Sequence, residues 1–405
     1  MDKNKLMNEA NALSQNIIEI RRYLHQIPGT GFELEETVEY VKQQLNLLGI
    51  EAKECGKSGL TATIGNGGKV FMLRADMDAL PIVEDSGVDF SSTNGKMHAC
   101  GHDMHTAMLL GAAKLLKDHE DELCGTVKLD FQPAEEIFEG SKDMINSGLL
   151  QEPKVDAALM IHVTAAMPMP AGTVTVCDGG VSAPAADCFE ITVQGKGCHG
   201  SMPDKGIDPI SISAHIITSL HEISARELNL LDEAVLTIGS INGGIADNVI
   251  PDSVKMTGTI RTYDEETRQF IKERMTQICE SVAATFRGSA KVEFVRQCPT
   301  LFNDMELSGC ATQYTREILG ERNAFNAKQL LAMSQGKPSK QGGSEDFAYV
   351  SHEVPSIMLA LAAGEPDKGY CYPQHHPKVK FDESVLAKGA AVYAYNAMRW
   401  LEEHR

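Results

Sequence analysis

Positive charge is scarce in this chain. Lysine and arginine total 37 against 56 aspartates and glutamates, a formal net charge of −19. Such a surface repels nucleic acid and anionic membranes, and both are excluded as expected partners. An anionic substrate would need a local positive site. Long apolar runs are missing too. None approaches the ~18 residues of a membrane span. The opening stretch, "MDKNKLMNEANALSQNIIEIRRYLHQIP", has no continuous apolar segment, and its apolar residues recur at helical spacing. Paired cysteines are absent as well. Ten stand singly, at 55, 100, 124, 177, 188, 198, 279, 298, 310 and 371, with no CxxC. That pattern predicts reduced, buried thiols and a cytoplasmic protein. Internal repeats and low-complexity tracts are also lacking.

What remains is an ordinary globular balance, 42% hydrophobic and 23% charged over 405 residues, a length that predicts two domains. Strand-like runs alternate with helical ones at first. "KVFML" precedes "RADMDALP", "GTVKLDF" precedes "QPAEE", and "AALMIHV" carries His162. Between them "DMHTAMLLGAAKLLKDHEDEL" is helical, with Asp103 the expected N-cap. This predicts an α/β domain with a largely parallel sheet, whose ligands gather beyond the strands' carboxyl ends.

From about residue 184 the order becomes β-α-β-β-α-β, the ferredoxin-like unit, inserted into the first domain. The expected boundaries are 1–183 with 299–405 for the first domain and 184–298 for the second. Gly179, Gly180, Pro184 and Pro299 mark the junctions as expected hinges.

The densest chemistry lies in "MHACGHDMHTAM", residues 97–108, with His98, Cys100, His102, Asp103 and His105. Burying such groups singly is costly. Thiolate and imidazole two residues apart suit zinc and similar metals, although the pair also fits a buried cysteine beside a surface histidine. "FQPAEE" places Glu135 and Glu136 side by side after a strand. Buried together they repel unless a cation intervenes, and then one ligates while the other handles a proton. His162, and His375 with His376 in "QHHP", are weak signals alone. Asp76 and Asp78 suit supporting roles. Cys100, His102, Glu136, His162 and His375 together exceed one tetrahedral zinc, which points to two metals.

These residues resemble the co-catalytic metallopeptidase family of carboxypeptidase G and aminoacylase. The similarity is closest to the branch with hippurate hydrolase, auxin-conjugate hydrolase and N-acetyl-diaminopimelate deacetylase. "RRYLHQIP", "RADMDALP", "MHACGHDMHTAM", "FQPAEE", "GCHGSMP", "DNVIPD", "GTIRT", "GGSEDF" and "HHPKVKFDE" follow the family's order over nearly the whole chain. The resemblance implies that Cys100, His102, Glu136, His162 and His375 are the metal ligands, without saying which bridges. It implies two divalent ions per subunit, zinc first, with manganese, cobalt or nickel as alternatives. It makes Glu135 the general base, Asp78 a supporting acid and His199 a group that closes over the scissile bond, in several relatives from a partner subunit. It puts Asn248, Arg261 and Glu345 at the substrate, and makes the insert a lid and homodimer interface.

There are departures at Gly29, Met104, Ser201 and Asp204. The expected reaction is hydrolysis of N-acyl or N-aroyl amino acids to a carboxylate and a free amino acid. A dipeptidase or carboxypeptidase-like peptidase on the same site is the alternative. A non-catalytic metal-binding module would be expected to lose Glu135 or a ligand, and a structural zinc site to be richer in cysteine.

Overall fold

The computed structural model describes residues 2–334 and 343–405. It divides into two compact units. The first holds 2–182, 302–334 and 346–405; the second holds 183–301 and 343–345.

The first unit is built on an eight-stranded mixed sheet. Its order is Lys53–Cys55, Gly59–Gly65, Gly125–Gln132, Lys69–Asp76, Ala157–Thr164, Ser356–Ala362, Val174–Val176 and Ala324–Asn326. The four central strands run parallel. Every residue of Gly125–Gln132 is buried, Lys128 and Asp130 included. Strands covered on both faces are usually apolar throughout, as Ala157–Thr164 and Ser356–Ala362 nearly are; Gly125–Gln132 instead alternates Val127, Leu129 and Phe131 with Lys128, Asp130 and Gln132 and buries both sets. Helix His102–Asp118 is buried along nearly its whole length. It packs against helices Ser14–Gln26 and Leu386–Glu403, so apolar residues surround it instead of forming a stripe.

Asp103 is not the N-cap of that helix. The cap is Gly101, in left-handed backbone at φ 94°. A Cβ there would lie 2.5 Å from the Val163 side chain, so glycine alone fits. Asp103 lies inside the first turn, buried, and pairs with Arg21 at 2.7 Å and His25 at 2.8 Å. The partners come from a distant helix, which local spacing does not reveal.

The second unit is a four-stranded antiparallel sheet in the order Ala234–Gly243, Ser253–Thr262, Ala185–Gln194, Ser289–Cys298. Helices Pro209–Glu222 and Glu265–Thr285 fill its connections. Each starts on an aspartate cap, Asp208 and Asp264. Arg268 makes a two-pronged pair with buried Asp187, at 2.6 and 2.8 Å. Residues 343–345 join this unit because Ser344 accepts from Arg261 at 2.7 Å and donates to the Pro184 carbonyl at 2.7 Å. Among the described residues no helix is long and apolar enough to cross a membrane.

Candidate metal and catalytic centre

The polar clusters of the first unit emerge at the carboxyl ends of three adjacent parallel strands. Asp76 ends Lys69–Asp76, Gln132 ends Gly125–Gln132, and His162 lies near the end of Ala157–Thr164. Asp78 and the Glu135–Glu136 pair follow within a few residues. The loop before helix His102–Asp118 adds Cys100, and a late loop adds His375. Among the described residues, five groups of donor atoms are close enough to share a cation, and the two that include Cys100 are Cys100, His102 and His162, and Cys100, Glu136 and His375.

The imidazoles are oriented for this. His102 Nδ1 lies 2.8 Å from the Asp78 carbonyl and His162 Nδ1 lies 2.7 Å from the Val163 carbonyl. A carbonyl only accepts, so each Nδ1 carries a proton and Nε2 is the nitrogen left to face a cation. Against burial, Asp76 and Cys100 hold His102 protonated well above the usual imidazole range, a proton that cation binding would displace. His162 Nε2 stands 3.6 Å from Cys100 Sγ. His102 Nε2 and Glu136 Oε1 are 3.9 Å apart, both buried without a hydrogen-bond partner. His375 Nε2 is 3.4 Å from the same glutamate oxygen. Two orphaned buried atoms that can each offer a lone pair, facing one another, fit a divalent cation. The mixed thiolate, imidazole and carboxylate set suits zinc, and the carboxylate extends its range to harder metals.

Electrostatics agree. Burial, then Glu136, push the Cys100 thiol up; His102 and His162 outweigh them and bring it down to about 6. The neighbouring Cys100 and Glu136 lift His375 to about 10. Cation binding would displace that proton.

Asp78 organises the glutamates. It is fully buried. Its Oδ1 accepts the Glu135 N–H at 3.0 Å and its Oδ2 the Glu136 N–H at 3.2 Å. The turn they hold is flanked by Ala134 and Phe138, both at positive φ, 55° and 58°. Non-glycine residues adopt that backbone only where surroundings impose it.

His105 and Asp76 form a separate couple. His105 Nδ1 donates to Asp76 at 2.5 Å, and its Nε2 accepts the Val163 N–H at 2.8 Å. Both ring nitrogens are used, so this histidine supports and does not ligate. Burial lowers it to about 4, keeping it neutral.

Three supporting residues escaped sequence reading. Arg74 is fully buried and pairs with Asp76 at 2.8 Å and Asp346 at 2.9 Å. Gln132 donates to Asp346 at 2.6 Å. The available signal was an arginine inside an apolar strand, which is rarely tolerated unpaired.

The second unit holds the other expected residues. His199 and Asn248 are exposed neighbours: His199 faces Val249 across a short strand pair, and Gly200 N–H donates to the Asn248 carbonyl at 2.8 Å. Arg261 is half-buried, and Glu345 is buried, its carbonyl accepting from the Cys298 thiol at 3.4 Å.

The chain is similar to several known proteins along nearly its whole length. N-acetyl-L-cysteine deacetylase of Bacillus subtilis (strain 168) is 37% identical over 396 residues, covering 97% of this chain and 90% of the relative. Thermostable carboxypeptidase 2 of Saccharolobus solfataricus is 36% identical over 405 residues, covering 98% of each. The crystal structure of the YXEP protein of Bacillus subtilis, described as a dinuclear metal binding peptidase, superimposes with a TM-score of 0.78 at 32% identity, covering 97% of this chain and 99% of the other. The model of peptidase family M20/M25/M40 matches residues 72–399, a span that contains all five candidate ligands, and the chain belongs to that family.

Proposed function

We propose that this metal-dependent amidohydrolase cleaves the amide of N-acyl or N-aroyl amino acids, releasing a carboxylate and a free amino acid. Supporting this is the way the Asp78 carboxylate grips the consecutive N–H groups of Glu135 and Glu136 beside the donor set. Cys100, His102, Glu136, His162 and His375 would hold two divalent cations, zinc or, alternatively, manganese, cobalt or nickel, which when bound would supply polarisation of the amide carbonyl and acidification of water. Glu135 takes the proton of the attacking water and returns it to the departing amine nitrogen. Asp78 keeps Glu135 in reach of both. His199 donates a hydrogen bond to the oxyanion. Arg261 binds the substrate carboxylate, supplying the positive charge that the acidic surface lacks, and Asn248 and Glu345 complete the contacts.

The inserted unit serves as lid and dimer interface. Its edge strand Ala234–Gly243 presents Val235 and Ile241, each about half exposed, the kind of edge that pairs with a second copy. Among the described residues no cysteine forms a disulfide, which accords with a cytoplasmic setting.

The carboxypeptidase relative supports a second reading, cleavage of a C-terminal residue from a peptide. Metal-loaded protein assayed on N-acetyl and N-benzoyl amino acids, blocked dipeptides and free dipeptides separates the two. Amino acid release confined to peptides would overturn the first.

A further inference from the structure

A hydrogen-bond donor on an exposed side chain needs something to aim it, and His199 is exposed. It ends the two-residue strand Cys198–His199, opposite Val249. The chain then turns sharply. Met202 N–H donates to the His199 carbonyl at 2.8 Å, closing a four-residue turn. Gly200 sits in that turn against the neighbouring strand. A Cβ there would lie 2.9 Å from the Asn248 carbonyl oxygen, so a side chain would push the turn away.

The turn carries Ser201 back over its own histidine. Ser201 N–H donates to His199 Nδ1 at 3.2 Å, and the Ser201 hydroxyl lies 2.8 Å from the same nitrogen. A backbone N–H can only donate. Nδ1 therefore carries the ring's lone pair, and the proton of the neutral imidazole sits on Nε2. With Nδ1 accepting, the hydroxyl donates as well. Two donors on one ring nitrogen also fix the plane of the ring.

We infer that Ser201 is a positioning residue for the reaction: it selects the Nε2-protonated form of His199 and holds the ring so that Nε2–H is the donor presented to substrate. This rests on the reading of His199 given above. It adds that His199 acts as a neutral donor and transfers no proton. It also gives a role to Ser201.

The test uses full-length, zinc-loaded protein labelled with nitrogen-15 in histidine. Long-range proton–nitrogen correlation spectra are recorded above the titration range of free imidazole. The His199 signals are identified by their loss in His199→Ala. The expected wild-type pattern is an unprotonated Nδ1 and a protonated Nε2. In Ser201→Ala the two nitrogen signals should move toward each other as the second form becomes populated. Turnover should fall about fivefold, the effect of one ordinary hydrogen bond, with KM unchanged. Ser201→Thr, which keeps the hydroxyl, should restore both spectrum and turnover.

A protonated Nδ1 in the wild type overturns the inference. So does Ser201→Ala with unchanged nitrogen signals, whatever its turnover, because any loss then comes from the turn and not from the ring. Failure of the underlying reading looks different: His199→Ala would keep wild-type turnover. An expected ring pattern together with full activity in Ser201→Ala refutes positioning while leaving His199 as donor.

Discussion

Replacing Asp78 with asparagine probes how the Glu135–Glu136 turn is held. The side chain is fully buried, and both its oxygens are in use, on the Glu135 N–H at 3.0 Å and the Glu136 N–H at 3.2 Å. His102 Nδ1 lies 3.5 Å from Oδ1. Asparagine is nearly the same shape but offers one acceptor. Its NH2 must face one of the two backbone N–H groups. A hydrogen bond to a charged group is worth about 1.5–3 kcal/mol, and a stranded buried donor costs about 1–3 kcal/mol. Relaxation of the turn recovers part of this, leaving about 3 kcal/mol. If that loss falls on the placement of Glu135, turnover drops about a hundredfold. The five proposed ligands keep their donor atoms, so metal stoichiometry should stay near wild type, with affinity about tenfold weaker. Turnover at saturating metal, metal content by mass spectrometry and thermal unfolding together make the assay. Turnover within about fivefold of wild type, equivalent to about 1 kcal/mol, would refute the role given to Asp78.

Glu135→Gln should abolish turnover and retain metal, whereas Glu136→Gln should lose metal; the reverse pattern would exchange their roles. Cys100, as a ligand, should resist alkylation in the metal-loaded protein and react after chelation, and equal labelling in both states would contradict that assignment. Mixing His199→Ala with Glu135→Gln subunits should restore activity if His199 serves the partner's site, because each heterodimer would then hold one intact pair; verified heterodimers without activity would place His199 in its own chain's site. Asp130 gives the pH prediction. Burial pushes its carboxyl up to about 7, against pulls from Arg74 and Lys128, and neither oxygen has a hydrogen-bond partner. An unfolded aspartate titrates near ~4, so between about pH 4 and 7 the folded state holds a proton that the unfolded state has lost. Stability contributed by this raised group is full below pH ~4 and declines as pH rises through 7. Asp130→Asn should therefore raise the melting temperature at pH 8 by more than at pH 4.5, and an equal effect at both would remove Asp130 as the cause.

Several features were legible because they depend on local chemistry. Strands such as Ala157–Thr164 and Ser356–Ala362 were legible as apolar runs, since burial on both faces leaves little room for polar residues. The donor types were legible for a related reason. Cysteine, histidine and paired glutamates at strand ends are costly to bury without a common partner. Asp103 shows where spacing misleads. Its position before an apolar helix suggested a cap, but Arg21 and His25 claim it from another helix.

The sequence by itself determined the elements and the kinds of atoms brought to the centre, because periodicity and side-chain chemistry are properties of neighbouring residues. Tertiary structure decided how those atoms are presented. Arg74 meets Asp346 across 272 residues of chain, a contact with no local trace. Which nitrogen of His102 and His162 carries a proton is set by the backbone carbonyls of Asp78 and Val163. His105 is withdrawn from ligation because Asp76 and the Val163 N–H occupy both its nitrogens. Which lone pair faces the centre is a matter of the third partner in space, and only the folded chain supplies it.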